Sequence, residues 1–402
     1  MLPNTTLPCL CSPEGLGCKP WFALPCGVQI LIEACLSGLV MVEPSSEQMI
    51  QENHPEVDRF QYPSYGNLIH RNWKDHIGVN SFYDVDGCSL KYYLYFLAHD
   101  KAFSEYPHFQ LLVEHQEDPG FKEKLRQSLV IFFRDIMNDA SQICCRLNLV
   151  VDRLVLAVPP QFNSTFQEIY SSILMDAMLD KPQFALEATG IEYVTEAQAV
   201  AHFLITEKPA ELHQAESLLV LDFGGHCMNG CLSVAQCGND STGTIGTNTA
   251  HYEIKAPFSA PGGGELWSYL FGREAKEQLT GPDGKFDANA WREVIGKFTR
   301  MKRSLGSGSN PLFSVRKETG EHVDFDLGLD GMGKLHQRAF QDPLDMAMKE
   351  IDEASMRFGK QNLCVVLSGG SLLNDPLRET LFRYTEERAK SILWTKSLRG
   401  DQ

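Results

Sequence analysis

The chain has 402 residues, 43% hydrophobic and 22% charged, which is ordinary globular usage and enough length for one large two-lobed domain or two to three smaller ones. A formal net charge of −16 argues against a binder of nucleic-acid backbone, which needs a basic face. It leaves a bound nucleotide open, because backbone N–H groups and a metal hold phosphates in such sites.

Residues 1–59 read unlike the rest: rich in Pro, Cys and Gly, then apolar, then acidic. Cys9, Cys11, Cys18, Cys26 and Cys35 match no common zinc spacing and have no histidine among them, so free thiols and no metal are expected. The start lacks a basic n-region, which argues against a secreted disulfide scaffold. The apolar run 28–42 is too short for a membrane span and contains Glu33. A buried strand or core helix is expected there, in a soluble cytoplasmic protein.

From residue 60 the pattern becomes regular. Residues 89–98 (SLKYYLYFLA) are aromatic and apolar, which suggests a strand. Leu125, Leu129, Phe132, Phe133 and Ile136 recur at helical spacing, predicting a helix over Phe121–Leu147. Arg153–Val158 reads as a buried strand ended by Pro159-Pro160, followed by helix over 164–179, strand over 191–194 and an Ala-rich helix over 196–206. Strands are then expected at 217–222, 230–235 and 251–257, with a helix from Glu265. A helix over 290–305, a strand pair at 313–315 and His322–Phe325, a helix over 342–358, a strand at 362–367 and a helix from Asp375 complete the chain. No repeat of 20–50 residues is visible in the sequence. Strand hairpins followed by strand–helix units indicate an α/β class with mixed sheets.

Four segments carry chemistry. In LLVLDFGG a buried strand ends in Asp222 and runs into Gly224 and Gly225, where the backbone can turn sharply toward an anion. A carboxylate there can hold a magnesium-bound water or position a nucleophilic one, though an Asp before a Gly turn is often turn chemistry alone. In APGGGEL, Gly262, Gly263 and Gly264 precede a helix whose N-terminal N–H groups suit phosphate; the plainer reading is a turn with Glu265 complementing the helix dipole. In LSGGSLL, Gly369, Gly370 and Ser371 join strand to helix and would allow close approach of an adenine or ribose. Lys302 and Arg303, near the end of a helix, either contact a ribose or complement the helix C-terminus.

The order of LVLAVPPQFNSTFQ, YVTEAQAVAHFL, LLVLDFGG, PGGGELW, MKRSL and VVLSGGS resembles the seventy-kilodalton heat-shock family, and most of all its divergent branch that keeps little beyond the ATPase domain. The resemblance spans roughly 60–392. It implies an actin-like ATPase (ribonuclease H-like) fold, two lobes with ATP or ADP and magnesium between them. The chain would divide into an atypical segment 1–59, a first-lobe remnant with connecting helix 60–216, a second lobe 217–392 and a tail 393–402. Asp222 would match the second-lobe phosphate-loop aspartate and Glu196 the acid of the connecting helix, as catalytic residues. Gly224, Gly225 and Gly262 to Gly264 would match phosphate loops, Lys302 and Arg303 the basic pair beside adenosine, and Gly369, Gly370 and Ser371 the adenosine loop. Protein clients or co-chaperones would be partners, with no nucleic acid and no membrane.

The departures point to a worn site. The phosphate loop continues His226, Cys227, Met228, Asn229 where the family has glycine, threonine and a second acid. Leu373 stands where an arginine often faces adenine, and Gly306 where a serine follows the basic pair. No Asp-Leu-Gly-Thr-Thr hairpin occurs in 1–60, and the first-lobe lysine cannot be placed; Asp326-Leu327-Gly328 lies too far along the chain and reads as coincidence. The first lobe is therefore expected to be incomplete, with 28–42 as substitute strands. Weak nucleotide binding and little hydrolysis follow. The alternatives are a scaffold with an empty cleft, or a truncated gene product that binds none. No G-x-S-x-G, H-E-x-x-H or G-x-x-x-x-G-K-[ST] motif supports another hydrolase, and Cys144-Cys145 reads as helix core.

Overall fold

The computed structural model describes residues 112, 119–147, 150–151, 153–184, 190–207, 212, 215–236, 251–255, 257–281, 284–317 and 320–394, with the short elements 29–33, 39–42, 59–60, 65–66 and 88–98. The N-terminal cysteines Cys9, Cys11, Cys18, Cys26 and Cys35 lie outside the described residues.

In chain order the first half contains β1 (Gln29–Glu33), β2 (Leu39–Val42), β3 (Arg59–Phe60), β4 (Tyr65–Gly66), β5 (Cys88–Ser89), α1 (Leu90–Leu97), α2 (Phe121–Leu147), β6 (Arg153–Val158), α3 (Ser164–Met178), β7 (Ile191–Thr195) and α4 (Glu196–Glu207). The second half contains β8 (Ser217–Phe223), β9 (Cys227–Gln236), β10 (His251–Ile254), β11 (Phe258–Pro261), α5 (Gly264–Leu279), α6 (Ala288–Met301), β12 (Phe313–Arg316), β13 (His322–Phe325), α7 (Gly328–Phe358), β14 (Leu363–Ser368), α8 (Asp375–Glu386) and β15 (Ser391–Trp394).

Two mixed sheets organise these elements, and they share one plan. The first has the order β3-β2-β1-β6-β7 and the second β10-β9-β8-β14-β15, with β11 also pairing β9. In the first, β3-β2 and β2-β1 are antiparallel while β1-β6 and β6-β7 are parallel. In the second, β10-β9 and β9-β8 are antiparallel while β8-β14 and β14-β15 are parallel. The opening hairpin of the first sheet comes from within 28–42, so β1 and β2 stand where the sequence suggested substitute strands.

Strand side chains alternate between the two faces with a period of two. Leu154, Leu156 and Val158 of β6 pack with Leu129, Phe133 and Ile136 of α2 and with Tyr170, Ile173 and Leu174 of α3. In β8, Leu219, Leu221 and Phe223 face Trp267, Phe271 and Phe298, together with Leu363, Val365 and Leu367 of β14. The alternate residues Leu218 and Val220 face the other way, with Cys231, Cys364 and Val366, toward Ala197, Ala201 and Leu204 of α4. The second sheet is thus covered on both faces, and each such side chain contributes about 1.5–3 kcal/mol when fully buried. The small residues of α4 let it lie close to the sheet. Its start is set by a capping box: Gln198 N–H donates to Thr195 Oγ1 at 3.3 Å and Thr195 N–H to Gln198 Oε1 at 3.0 Å.

Three sequence readings need correction. Residues 89–98 form helix α1, not a strand; Tyr93, Leu94, Phe96 and Leu97 are buried, which is the i, i+1, i+3, i+4 pattern of a helix face. The expected strand 251–257 ends at Ile254 as β10, and a further strand, β11, follows at Phe258–Pro261; each is antiparallel to β9. The expected helix 342–358 begins at Gly328 and carries Pro343 inside it. The Asp326 carboxylate accepts from Gly328 N–H at 2.6 Å, so Asp326-Leu327-Gly328 is the turn that opens α7. Cys144 is buried and Cys145 exposed on α2. Among the described residues no helix is long and apolar enough to cross a membrane.

Candidate functional site

The sequence-predicted residues gather at the carboxyl ends of β8 and β14. Asp222 of β8 is flanked across the sheet by Asn229 of β9 and Ser368 of β14. By strand alternation these three lie on the face covered by α4, whose first residue is Glu196. The buried Asn229 donates from Nδ2 to Glu196 Oε2, and Cys227 Sγ donates to Asn229 Oδ1 at 3.4 Å. The two predicted catalytic acids therefore sit on either side of an amide. Asn229 reaches across from β9 and takes up the carboxylate at the start of α4.

Beyond Asp222 the chain turns through Gly224, Gly225 and His226. Gly224 N–H donates to the Cys227 carbonyl at 3.0 Å, and Gly262 N–H donates to the His226 carbonyl at 2.9 Å. The Gly225 carbonyl accepts from Glu265 N–H at 2.8 Å and Leu266 N–H at 3.4 Å, so it covers the N-terminus of α5. That approach requires Gly263: its φ is +148°, and a Cβ there would run into the Gly224 and Gly225 carbonyls. Gly369, with φ +103°, is fixed in the same way by the Phe223 backbone.

Ser371 joins the loops. Its Oγ accepts from Gly264 N–H at 2.8 Å and donates to the Gly224 carbonyl at 2.6 Å. Lys302 arrives from the end of α6 and donates from Nζ to the Gly264 carbonyl and to Ser268 Oγ, the latter at 2.7 Å. Lys302 is half-buried overall, but its ammonium is enclosed; burial lowers its pKa, and the charge of Glu265 opposes that shift. Arg303 is exposed and is held by its backbone, whose carbonyl accepts from Asp375 N–H at 2.7 Å. Of the predicted set, Gly224, Gly225, Gly262, Gly263, Gly264, Lys302, Gly369, Gly370 and Ser371 come together, whereas the Arg303 side chain points to solvent.

Asn374 and Ser268 were not legible as site residues. Asn374 is buried; its Nδ2 donates to the Lys302 carbonyl at 2.8 Å and the Leu305 carbonyl at 2.6 Å, and its Oδ1 accepts from Leu377 N–H at 3.0 Å. It therefore caps α8 and positions the Lys302 turn. Its place before Asp375-Pro376 marks it as a helix cap, but nothing in the sequence shows its second task.

Among the described residues, no group of three or more His, Cys, Asp or Glu comes together that could hold a metal ion. No protein-family model matches the chain, and no curated protein sequence matches it.

Proposed function

We propose that the chain is an actin-like, two-lobed nucleotide-binding domain related to the divergent seventy-kilodalton heat-shock proteins, which binds ATP or ADP weakly and hydrolyses little. The shared plan of the two mixed sheets supports the fold. One observation carries the nucleotide reading: turns as far apart in sequence as Gly224 and Ser371 meet at the carboxyl ends of β8 and β14, the place where open α/β sheets bind ligands. Chaperone-like work on protein clients, with co-chaperones and in the cytoplasm, belongs to the same proposal.

Low turnover follows from the acids. Phosphoryl transfer depends on preorganised charge around the γ-phosphate. Here the Glu196 carboxylate is bound by Asn229, and Asp222 has an amide and a hydroxyl as its sheet neighbours. Each missing electrostatic group typically costs about 3–4 kcal/mol of barrier.

A second reading, a non-enzymatic scaffold, is favoured by the loops themselves, because the N-terminal N–H groups of α5 already have partners in Gly225 and Ser371. Calorimetry of ATP and ADP, with and without magnesium, on wild type and Asp222→Ala separates the two. Affinity that drops in the variant supports a nucleotide in this cleft. No binding by folded wild-type protein supports the scaffold, and robust magnesium-dependent turnover by clean protein sinks the low-turnover claim.

A further inference from the structure

We infer that the nucleotide site is held shut by its own loops, with the Ser371 hydroxyl as the clasp; the inference rests on the nucleotide reading above and adds a regulation to it. The groups that would receive phosphate are three N–H groups at the start of α5 and one ammonium. Gly264 N–H is taken by Ser371 Oγ, Glu265 and Leu266 N–H by the Gly225 carbonyl, and the Lys302 ammonium by the Gly264 carbonyl and Ser268 Oγ. Each acceptor is an oxygen of the chain itself. The Gly225 carbonyl stands at the positive end of the α5 dipole, where a phosphate oxygen would be stabilised.

Ser371 is the residue whose removal distinguishes this state. It is 8% exposed and ties both sides, accepting from Gly264 on α5 and donating to Gly224 on the hairpin turn. Without the hydroxyl the turn at 224–225 loses its attachment to the 369–371 loop. The Gly225 peptide is then freer to rotate away from α5 and release two N–H groups. An anionic ligand binds only the open arrangement, so its apparent affinity is reduced by the fraction of molecules that are open. Relaxing the clasp raises that fraction.

The experiment compares wild type, Ser371→Ala and Thr385→Ala, which removes a buried hydroxyl elsewhere in the same lobe, bonded to the Leu381 carbonyl at 2.7 Å. Tripolyphosphate and ATP are titrated by calorimetry, and amide hydrogen exchange is read at Gly264, Glu265 and Leu266. The expected result is binding about tenfold tighter in Ser371→Ala, faster exchange of those three amides in the free variant, and neither change in Thr385→Ala. Tripolyphosphate binding that tightens while ATP does not bind keeps the clasp and overturns the nucleotide reading. Equal or weaker binding in a folded Ser371→Ala protein overturns the clasp. So does binding that leaves the three amides unperturbed, or the absence of binding in all three proteins.

Discussion

The Asn229 amide donates to the Glu196 carboxylate across the junction of β9 and α4, and both residues are buried. A neutral donor therefore satisfies an acid that would otherwise be desolvated beside Asp222. Asn229→Asp replaces that donor with a second carboxylate. Two carboxylates sharing one site cannot both ionise cheaply, so the variant is expected to lose about 3 kcal/mol at neutral pH. Repulsion between the two carboxylates is relieved at low pH, so the loss is expected to shrink as pH falls. Thermal unfolding from pH 4 to 8 checks it; a loss independent of pH would show that shape, not charge, is the cause.

Gly369 and Gly370 are neighbours with opposite tolerance. A Cβ at Gly369 meets the Phe223 backbone in a left-handed conformation, while a Cβ at Gly370 meets nothing within 4 Å. Gly369→Ala should cost about 2–4 kcal/mol, and Gly370→Ala should stay within about 0.5 kcal/mol. Urea unfolding midpoints of the two variants decide the point.

Lys302→Met removes the donor that serves the Gly264 carbonyl and Ser268 Oγ and leaves Glu265 without its nearby positive charge. The loss should be about 2–3 kcal/mol. The urea midpoint should drop with an unchanged slope, because the folded state stays compact.

His336 gives the core around Trp267 an acid limit. It is 8% exposed, stacks edge-on against Trp267 at 5.0 Å between ring centroids, and its Nε2 has no hydrogen-bond partner among the described residues. Burial lowers its pKa, with the Asn374 side chain opposing. The unfolded chain therefore binds the proton first as pH falls. The stability contributed by neutral His336 is complete above about pH 6.5 and is lost as pH drops toward the lowered folded value. His336→Phe should flatten that part of the stability–pH curve, measured by urea unfolding at pH 5 to 8. An unchanged slope would mean another group sets it.

Local pattern was legible where one interaction dominates. The helix Phe121–Leu147 follows from apolar residues at 3.6 spacing, and Arg153–Val158 from an unbroken apolar run, so both agree with the structure residue for residue. Residues 89–98 misled because aromatic side chains favour strands intrinsically, while tertiary packing turns one face of a helix inward. The helix over 342–358 is read as starting too late: α7 runs from Gly328 and carries Pro343 internally. The glycine turns were visible as turns, and their meeting was not: it depends on β8 and β14 lying side by side. The Asn229–Glu196 bond depends on hairpin register and helix placement across 33 residues. The common plan of the two sheets leaves no trace in sequence because it repeats strand order, not residues.

One consequence follows from how β7 gives way to α4. Thr195 ends the strand and Glu196 begins the helix with no residue between them, and the capping box removes slack at the joint. The helix has 12 residues, a rigid arm about 18 Å long. Tilting β7 by roughly 10° swings the far end of that arm by about 3 Å. Ala201 and Leu204 ride on the arm and lie against Leu218 and Val220, so the joint works as a lever. Such a displacement of the first sheet would press α4 against β8, the strand that carries Asp222.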